Sequence, residues 1–182
     1  AAHGYEALMA TLKPTVKVPG KKAAIIGGGP TGIAAAYFLA RGGVDTTIFE
    51  REEKLGGVPR YVIPAFRIPD ESIDKDISIM ERLGVTVKCG APAPSVEELK
   101  KQGYTHILMA TGAWQAGELG IPGNVKGVIG WMKEMKTQVK PCLDGHVVVV
   151  GAGNTAMDAA RVAKRMGAAS STIVYRRTKK EM

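Results

Sequence analysis

KAAIIGGGPTG, residues 22–32, places a short apolar segment directly before a glycine-rich turn. We predict a strand over Lys22–Ile26 and an Ala/Leu-rich helix over Thr31–Arg41. The turn has the spacing G-x-G-x-x-G at Gly27, Gly29 and Gly32. In dinucleotide-binding folds the first glycine permits the tight turn, the second admits a pyrophosphate, and the third lets helix pack on strand. The free N–H groups of the helix N-terminus then bind the phosphate.

The next strand supports a nucleotide site, because it is followed at once by an acid. Val44–Phe49 is rich in β-branched residues and predicts this strand, and Glu50 follows it, 18 residues after Gly32. A carboxylate at this position accepts the hydroxyls of an adenosine ribose. The alternative interpretation is a surface carboxylate within the charged run 50–53. A glycine-rich turn alone is weak evidence, but strand, turn, helix and acid together favour nucleotide binding.

The same pattern returns 124 residues later, which indicates an internal duplication. His146–Val150 predicts a strand, and Gly151, Gly153 and Ala156 form a G-x-G-x-x-A turn. Alanine is an accepted variant at the third position of this motif. A helix is predicted over Met157–Met166.

The second motif differs from the first in the residues that close its next strand. That strand is predicted over Thr172–Tyr175, and Arg176 and Arg177 follow it. Guanidinium groups pair with a 2′-phosphate, whereas an acid there would repel it. We therefore predict NADP(H) rather than NAD(H). The basic run 176–180 also fits a solvated surface or a nucleic-acid contact, although few aromatic residues interleave with these charges.

The elements between the two motifs complete an alternation of strands and helices. We predict a helix after an N-capping Asp70, a helix opened by the capping box Ser95–Glu98, a strand over Tyr104–Ala110 and a short helix over Trp131–Met135. Alternating strands and helices predict a mostly parallel sheet with helices on its faces.

The expected fold class is α/β, with two Rossmann-like βαβ nucleotide-binding units, the second incomplete. We expect a lead-in over residues 1–20, an FAD-binding unit over 21–114, a connector over 115–144, and the start of an NADPH-binding unit over 145–182. A single βαβ unit cannot cover both faces of a sheet, so the chain is expected to end inside its second domain.

Composition excludes several classes of protein. The chain has 182 residues, 45% hydrophobic, and no apolar window long enough for a membrane-spanning helix. Its two cysteines form no C-x-x-C motif and its three histidines form no metal pair. We therefore expect a cytoplasmic protein without metal, membrane or nucleic-acid partner. No nucleophile and base pattern is present, so no catalytic side chain is expected. Residues 136–182 hold nine basic and three acidic residues, which favours an anionic partner.

Several stretches together resemble a known family. They are IIGGGPTG (25–32), FER (49–51), GGV (56–58), IPAFRIP (63–69), ATG (110–112), VGAGNTAMD (150–158) and YRR (175–177). The chain resembles the pyridine-nucleotide:flavin electron-input module shared by the glutamate synthase small subunit and the N-terminal half of dihydropyrimidine dehydrogenase. Within this family the resemblance is strongest to the flavoprotein subunits described as selenate reductases.

The resemblance implies FAD on the first unit and NADPH on the second. Hydride would pass from NADPH to FAD, and electrons onward to an iron–sulfur domain or subunit. The family's cysteine-rich cluster region has no counterpart here. The rival interpretation is a nucleotide-binding fragment without activity of its own. The cofactor-binding residues expected are Gly27, Gly29, Pro30, Thr31, Gly32, Glu50, Arg51, Gly57, Val58, Arg67, Thr111 and Gly112 for FAD, and Gly151, Gly153, Asn154, Thr155, Arg176 and Arg177 for NADPH.

Overall fold

The computed structural model describes residues 4–115, 117, 120–178 and 180. The chain divides into two compact units, which we call unit 1 and unit 2. Unit 1 comprises Ala1–Arg60 and Ile68–Gly112, and unit 2 comprises Tyr61–Arg67 and Ala113–Met182. The short segment Tyr61–Arg67 therefore belongs to unit 2, although unit 1 flanks it on both sides in the sequence.

Unit 1 is built on a four-stranded, wholly parallel sheet in the order β3-β2-β1-β4. Parallel neighbours require crossover connections, and helices supply them here. In chain order the elements are α1 (Tyr5–Thr11), β1 (Lys22–Ile26), α2 (Pro30–Arg41), β2 (Asp45–Phe49), α3 (Gly57–Tyr61), α4 (Asp70–Arg82), β3 (Thr86–Lys88), α5 (Val96–Lys101) and β4 (His106–Met109).

Both faces of the unit 1 sheet are covered, which explains the continuous apolar runs of its central strands. On one face Ile25 and Ile48 pack with Ala36 of α2 and Met80 of α4, all completely buried. Successive strand residues point to opposite faces. On the other face lie Ala24 and Phe49, packed with Leu99 and Tyr104.

Unit 2 contains a two-stranded parallel sheet, with Val150 of β5 paired to Val174 of β6. Its elements are α6 (Val128–Thr137), β5 (His146–Val150), α7 (Asn154–Arg165) and β6 (Ser170–Val174). Helix α7 packs against both strands. These units confirm the predicted α/β class with parallel strands. Among the described helices, none combines the length and apolar composition needed to cross a membrane.

Helix α4 corrects the predicted cap at Asp70. The helix begins at Asp70 itself, and the N-cap is Pro69, which is extended at φ −64° and ψ 144°. The Asp70 carboxylate instead lies 3.4 Å from the guanidinium of Arg60. A tertiary ion pair has therefore replaced the local cap.

The capping box at the start of α5 is confirmed. Ser95 Oγ accepts from the Glu98 N–H at 3.2 Å, and Glu98 Oε2 accepts from the Ser95 N–H at 2.8 Å. These hydrogen bonds favour the charged carboxylate and hold the pKa of Glu98 below its ordinary value. Helices α1 and α3 were not predicted, and α6 begins three residues before the predicted Trp131.

Candidate nucleotide-binding sites

The glycine-rich turn of unit 1 lies where three strands end. The Gly27 N–H donates to Phe49 O at 2.8 Å, and the Ala110 N–H donates to Ile26 O at 2.8 Å. Gly27 has φ +109°, and a Cβ there would lie 2.3 Å from Ala110 O. Only glycine satisfies both the left-handed backbone and this close approach. The turn is therefore fixed to the carboxyl edge of the sheet, where α/β folds bind ligands.

Helix α2 starts from this turn with its first N–H groups free of a side-chain cap. Gly29 is the N-cap and Pro30 occupies the first helical position. A Cβ at Gly29 would meet only the Cα of Gly57, at 3.8 Å. A Cβ at Gly32, by contrast, would lie 2.0 Å from Gly27 O, so the helix packs directly on the turn. The arrangement leaves room for an anion beside the positive end of the α2 dipole.

Glu50 directly follows β2, and its side chain is hydrogen-bonded to the first glycine-rich turn. Its side chain is buried, Oε2 accepts from the Gly28 N–H at 2.6 Å, and Oε1 accepts from the Glu52 N–H at 2.9 Å. An ionised carboxylate has about four acceptor positions, so each oxygen can accept a further donor. Glu50 can thus orient the turn and still receive hydroxyl groups of a ligand.

A second pair of glycines faces the first turn at backbone distance. The Gly56 N–H donates to Gly28 O at 2.7 Å. Gly57 has φ +57°, and a Cβ there would lie 2.8 Å from the Cα of Gly29. The sequence prediction included Gly57 but not Gly28 or Gly56. The two adjacent glycines, Gly56 and Gly57, are the sequence feature that could have predicted this close contact between the two turns.

The remaining expected residues of unit 1 occupy the same edge or its surroundings. Pro30 and Thr31 are exposed at the start of α2, and Val58 is half-buried in α3. Arg51 is exposed and lies 3.8 Å from Glu52. Two further residues follow β4, where the Cα of Thr111 is 3.2 Å from a Cβ built on Gly27, and Gly112 has φ +74°.

The glycine turn of unit 2 repeats these features with less crowding. Gly151 has φ +128°, and its N–H donates to Val174 O at 2.9 Å. Gly153 is the N-cap of α7, and a Cβ there would meet no described atom within 4 Å. A Cβ built on Gly151 would lie 3.7 Å from the Cβ of Ala156, which is an ordinary van der Waals distance.

The polar residues expected in unit 2 lie around this turn. Asn154 and Thr155 are exposed in the first turn of α7. Arg176 and Arg177 are also exposed, and Tyr175 separates them from β6, which ends at Val174 rather than at the predicted Tyr175. Strands β5 and β6 are parallel neighbours, so the turn at Gly151 and the two arginines follow the same edge of the sheet.

Arg67 lies in unit 2 rather than with the other residues that the resemblance assigns to FAD. Its Nε donates to Asp158 Oδ1 at 2.7 Å, and Asp158 is buried on α7. The carboxylate of Asp158 is neutralised by Arg67.

Neither cysteine belongs to a disulfide. Cys89 is half-buried and Cys142 is exposed, and both are free. Burial raises the pKa of Cys89 above its ordinary value, and the negative charges of Glu50, Glu53 and Glu81 raise it further. Within the described residues, no three His, Cys, Asp or Glu side chains are placed to hold a metal ion.

With this geometry established, comparison with known proteins defines the family. The model of the pyridine nucleotide-disulphide oxidoreductase family matches residues 21–180, and the chain belongs to this family. It is 46% identical over 164 residues to YgfK of Escherichia coli K12, an oxidoreductase by name, and this match spans 87% of the chain and 16% of YgfK. It is 33% identical to the glutamate synthase [NADPH] small chain of Halomonas elongata, over 89% of the chain and 38% of that protein.

The fold agrees with solved structures of oxidoreductases. The structure of Mycobacterium tuberculosis FprA in complex with NADPH superimposes with a TM-score of 0.68 at 21% identity, over 86% of this chain and 43% of FprA. The chain spans less than half the length of each of these relatives, between 16% of YgfK and 43% of FprA.

Proposed function

We propose that the chain is the NADPH- and FAD-binding part of an electron-transferring oxidoreductase. Unit 1 would hold FAD through Gly27–Gly32 and Glu50. Unit 2 would hold NADPH through Gly151–Ala156 and the pair Arg176 and Arg177. The name of the glutamate synthase relative, which includes NADPH, agrees with this assignment.

The observation that carries the proposal is the contrast between the two strand ends. Each glycine turn leads into a 12-residue helix whose N-cap is a glycine, which suits a pyrophosphate in both units. In unit 1 the acid Glu50 directly follows β2, whereas in unit 2 Tyr175 follows β6 and the basic pair Arg176 and Arg177 comes immediately after it. An acid suits a free ribose, and arginines suit a 2′-phosphate.

The residues of the chain fit both cofactors. Beside the helix N-termini a Cβ on Gly153 would meet no described atom within 4 Å, and a Cβ on Gly29 would meet only the Cα of Gly57 at 3.8 Å, so both turns leave room for a phosphate. When bound, FAD supplies the chemistry by accepting hydride equivalents from NADPH and releasing electrons. The chain itself binds and orients: helix N–H groups hold phosphates, Glu50 holds ribose hydroxyls, and guanidinium groups hold the 2′-phosphate. No side-chain acid or base is needed for this transfer.

We propose further that the electrons pass to an iron–sulfur domain or subunit. The glutamate synthase relative is named as a small chain and so belongs to a larger assembly. This chain has only two cysteines, too few for a cluster of its own.

The test is an anaerobic titration of the full-length protein reconstituted with FAD. We expect one FAD to bind, and NADPH to bleach its visible absorbance with a much higher kcat/KM than NADH. The proposal fails if no FAD binds, which would favour a nucleotide-binding module without redox activity. It also fails if NADH reduces the flavin as well as NADPH does.

A further inference from the structure

Unit 1 buries a charged side chain that the proposed function does not use. The side chain of Arg60, in α3, is only 4% exposed, whereas surface arginines keep the guanidinium in water. A buried guanidinium is stable only when its donors are matched by acceptors. Its contacts therefore indicate what it holds in place.

Arg60 reaches acceptors in three directions. Its Nε donates to the carbonyl oxygen of Leu55, its Nη2 forms an ion pair with Asp74, and its Nη1 lies 3.4 Å from Asp70 Oδ2. Asp70 and Asp74 are on the first turns of α4. Arg60 thus joins the segment before the second glycine pair to the beginning of a long helix.

The side chain of Arg60 also packs directly against the Cα of Gly56. A Cβ on Gly56 would lie 2.7 Å from Arg60 Cβ and 3.0 Å from Arg60 Nε, so glycine is required for the guanidinium to pass. Gly56 in turn donates its N–H to Gly28 O at 2.7 Å. A continuous path leads from Arg60 through Leu55 and Gly56 to the glycine-rich turn.

We propose that Arg60 is a positioning residue for the nucleotide site of unit 1. It fixes the distance between the backbone of residues 55–57 and that of Gly28 and Gly29. This distance determines how much room a phosphate has beside the N-terminus of α2. This inference rests on the proposed function, because it names the residue that shapes the FAD site without touching FAD.

Arginine suits this role for a geometric reason. Its planar guanidinium presents five donors in a fixed fork, whereas a lysine ammonium is a single point charge on a flexible stem. The carboxylates of Asp70 and Asp74 have side chains 48% and 60% exposed, so solvent weakens the charge attraction. The directed bond to Leu55 and the packing under Gly56 therefore carry the effect.

The experiment compares two variants, Arg60→Met and Arg60→Lys, with a control, Arg82→Met. Arg82 is an exposed arginine at the end of α4, the helix that also contains Asp70. The dissociation constant for FAD is measured by reconstitution of the full-length apoprotein, well below its unfolding temperature. Binding of 2′,5′-ADP reports unit 2 in the same samples. We expect Arg60→Met to weaken FAD roughly 10-fold or more, about 1.4 kcal/mol for each factor of ten, with 2′,5′-ADP binding unchanged. Arg82→Met should match wild type.

Arg60→Lys separates position from charge. We expect it to recover less than half of the lost FAD affinity in logarithmic terms, because its single nitrogen cannot occupy both the Nε position that bonds to Leu55 and the Nη2 position that bonds to Asp74. If Arg60→Lys binds FAD as tightly as wild type, the geometry of the guanidinium is not what positions the site. Wild-type FAD affinity in Arg60→Met, or equal loss of FAD and 2′,5′-ADP, would overturn the proposal.

A milder variant covers the case in which Arg60→Met does not fold. Asp74→Ala removes the acceptor of Arg60 Nη2, which leaves one donor of the buried guanidinium without its carboxylate, and we expect FAD to bind roughly 3-fold more weakly. Unchanged FAD affinity in Asp74→Ala would then count against the proposal. Failure of wild type itself to bind FAD would instead refute the proposed function, which keeps the two outcomes distinct.

Discussion

The carboxylate of Glu50 accepts a 2.6 Å hydrogen bond from the backbone N–H of Gly28, 22 residues earlier in the chain. The bond joins the end of β2 to the turn after β1. The residue expected to bind a ribose is therefore also a structural support for the turn expected to bind the pyrophosphate.

Glu50→Ala should release flavin from the full-length protein. It removes the acceptor for the ribose and leaves the N–H groups of Gly28 and Glu52 without their carboxylate. Each charge-assisted hydrogen bond lost weakens binding by about 1.5–3 kcal/mol. The measurement is the ratio of flavin absorbance to protein after gel filtration. Glu53→Ala, at an exposed acid of the same run, is the control. Equal flavin content in wild type and Glu50→Ala would refute the assignment.

Gly32→Ala should destabilise unit 1 even though alanine is the better helix former. Helix propensity favours alanine by about 1 kcal/mol. The new Cβ would lie 2.0 Å from the carbonyl oxygen of Gly27, and such overpacking costs about 1–3 kcal/mol or more. Gly130 is the matched control, because it is also the third residue of its helix, α6, with no described atom within 4 Å of its Cβ position. Urea denaturation should show Gly32→Ala less stable and Gly130→Ala slightly more stable than wild type.

Changing both Arg176 and Arg177 to alanine should abolish the preference for NADPH. Two charged contacts to a 2′-phosphate, each contributing on the order of 1–3 kcal/mol, would be lost. NADH has no group for them to bind. The preference, measured as the ratio of kcat/KM values at fixed salt, should fall at least roughly 30-fold, which corresponds to about 2 kcal/mol, the lower end of the two contacts together. The exposed Lys140→Ala should leave the ratio unchanged. Equal loss of both nucleotides in the double variant would exclude these arginines as the 2′-phosphate site.

Arg67→Ala should destabilise unit 2 by leaving the buried carboxylate of Asp158 without its partner. Breaking a fully buried pair costs about 3–5 kcal/mol. Arg67 is 41% exposed, so solvent reduces the expected cost to about 1–2 kcal/mol. Asp158→Ala and the double variant complete a thermodynamic cycle, and the two effects should not add. Arg161→Ala, an exposed arginine on the same helix, is the control. Additive effects would show that the pair contributes nothing.

Alkylation of Cys89 should need a higher pH than an ordinary thiol. Burial disfavours the thiolate most, and the nearby carboxylates add to this, so the pKa lies above that of an ordinary cysteine thiol. Because the thiolate reacts, the midpoint of the rate against pH should lie above that value. Glu50→Gln removes one negative charge and should lower the midpoint. Measurement by iodoacetamide and mass spectrometry distinguishes Cys89 from Cys142. A midpoint at or below that of a free cysteine thiol under the same conditions would contradict the raised pKa.

The sequence predicts the parts of this fold that depend on neighbours in the chain. The strand Lys22–Ile26, the glycine turn and the capping box at Ser95 follow from local pattern, and the structure contains them. The acid after β2 also follows from the fingerprint spacing, although its bond to Gly28 does not.

Long-range contacts account for what the sequence could not predict. The predicted Asp70 cap is wrong: the helix begins at Asp70 itself, and the Asp70 carboxylate lies 3.4 Å from the guanidinium of Arg60, ten residues earlier. The pairing of Arg67 with Asp158 joins residues 91 apart, and no periodicity indicates it. Such contacts depend on the packed unit rather than on local propensity.

The assignment of Tyr61–Arg67 to unit 2 limits how evolution or engineering could exchange this unit. A chimera that fuses only residues 113–182 to a foreign protein would contain α6, α7, β5 and β6. It would lack Arg67, the partner of Asp158, and the Ile63 carbonyl that accepts a hydrogen bond from Lys136. The transplanted Asp158 would then carry an uncompensated charge in its new host. Unit 2 is encoded by two separate segments, residues 61–67 and 113–182, and a stable chimera must contain both.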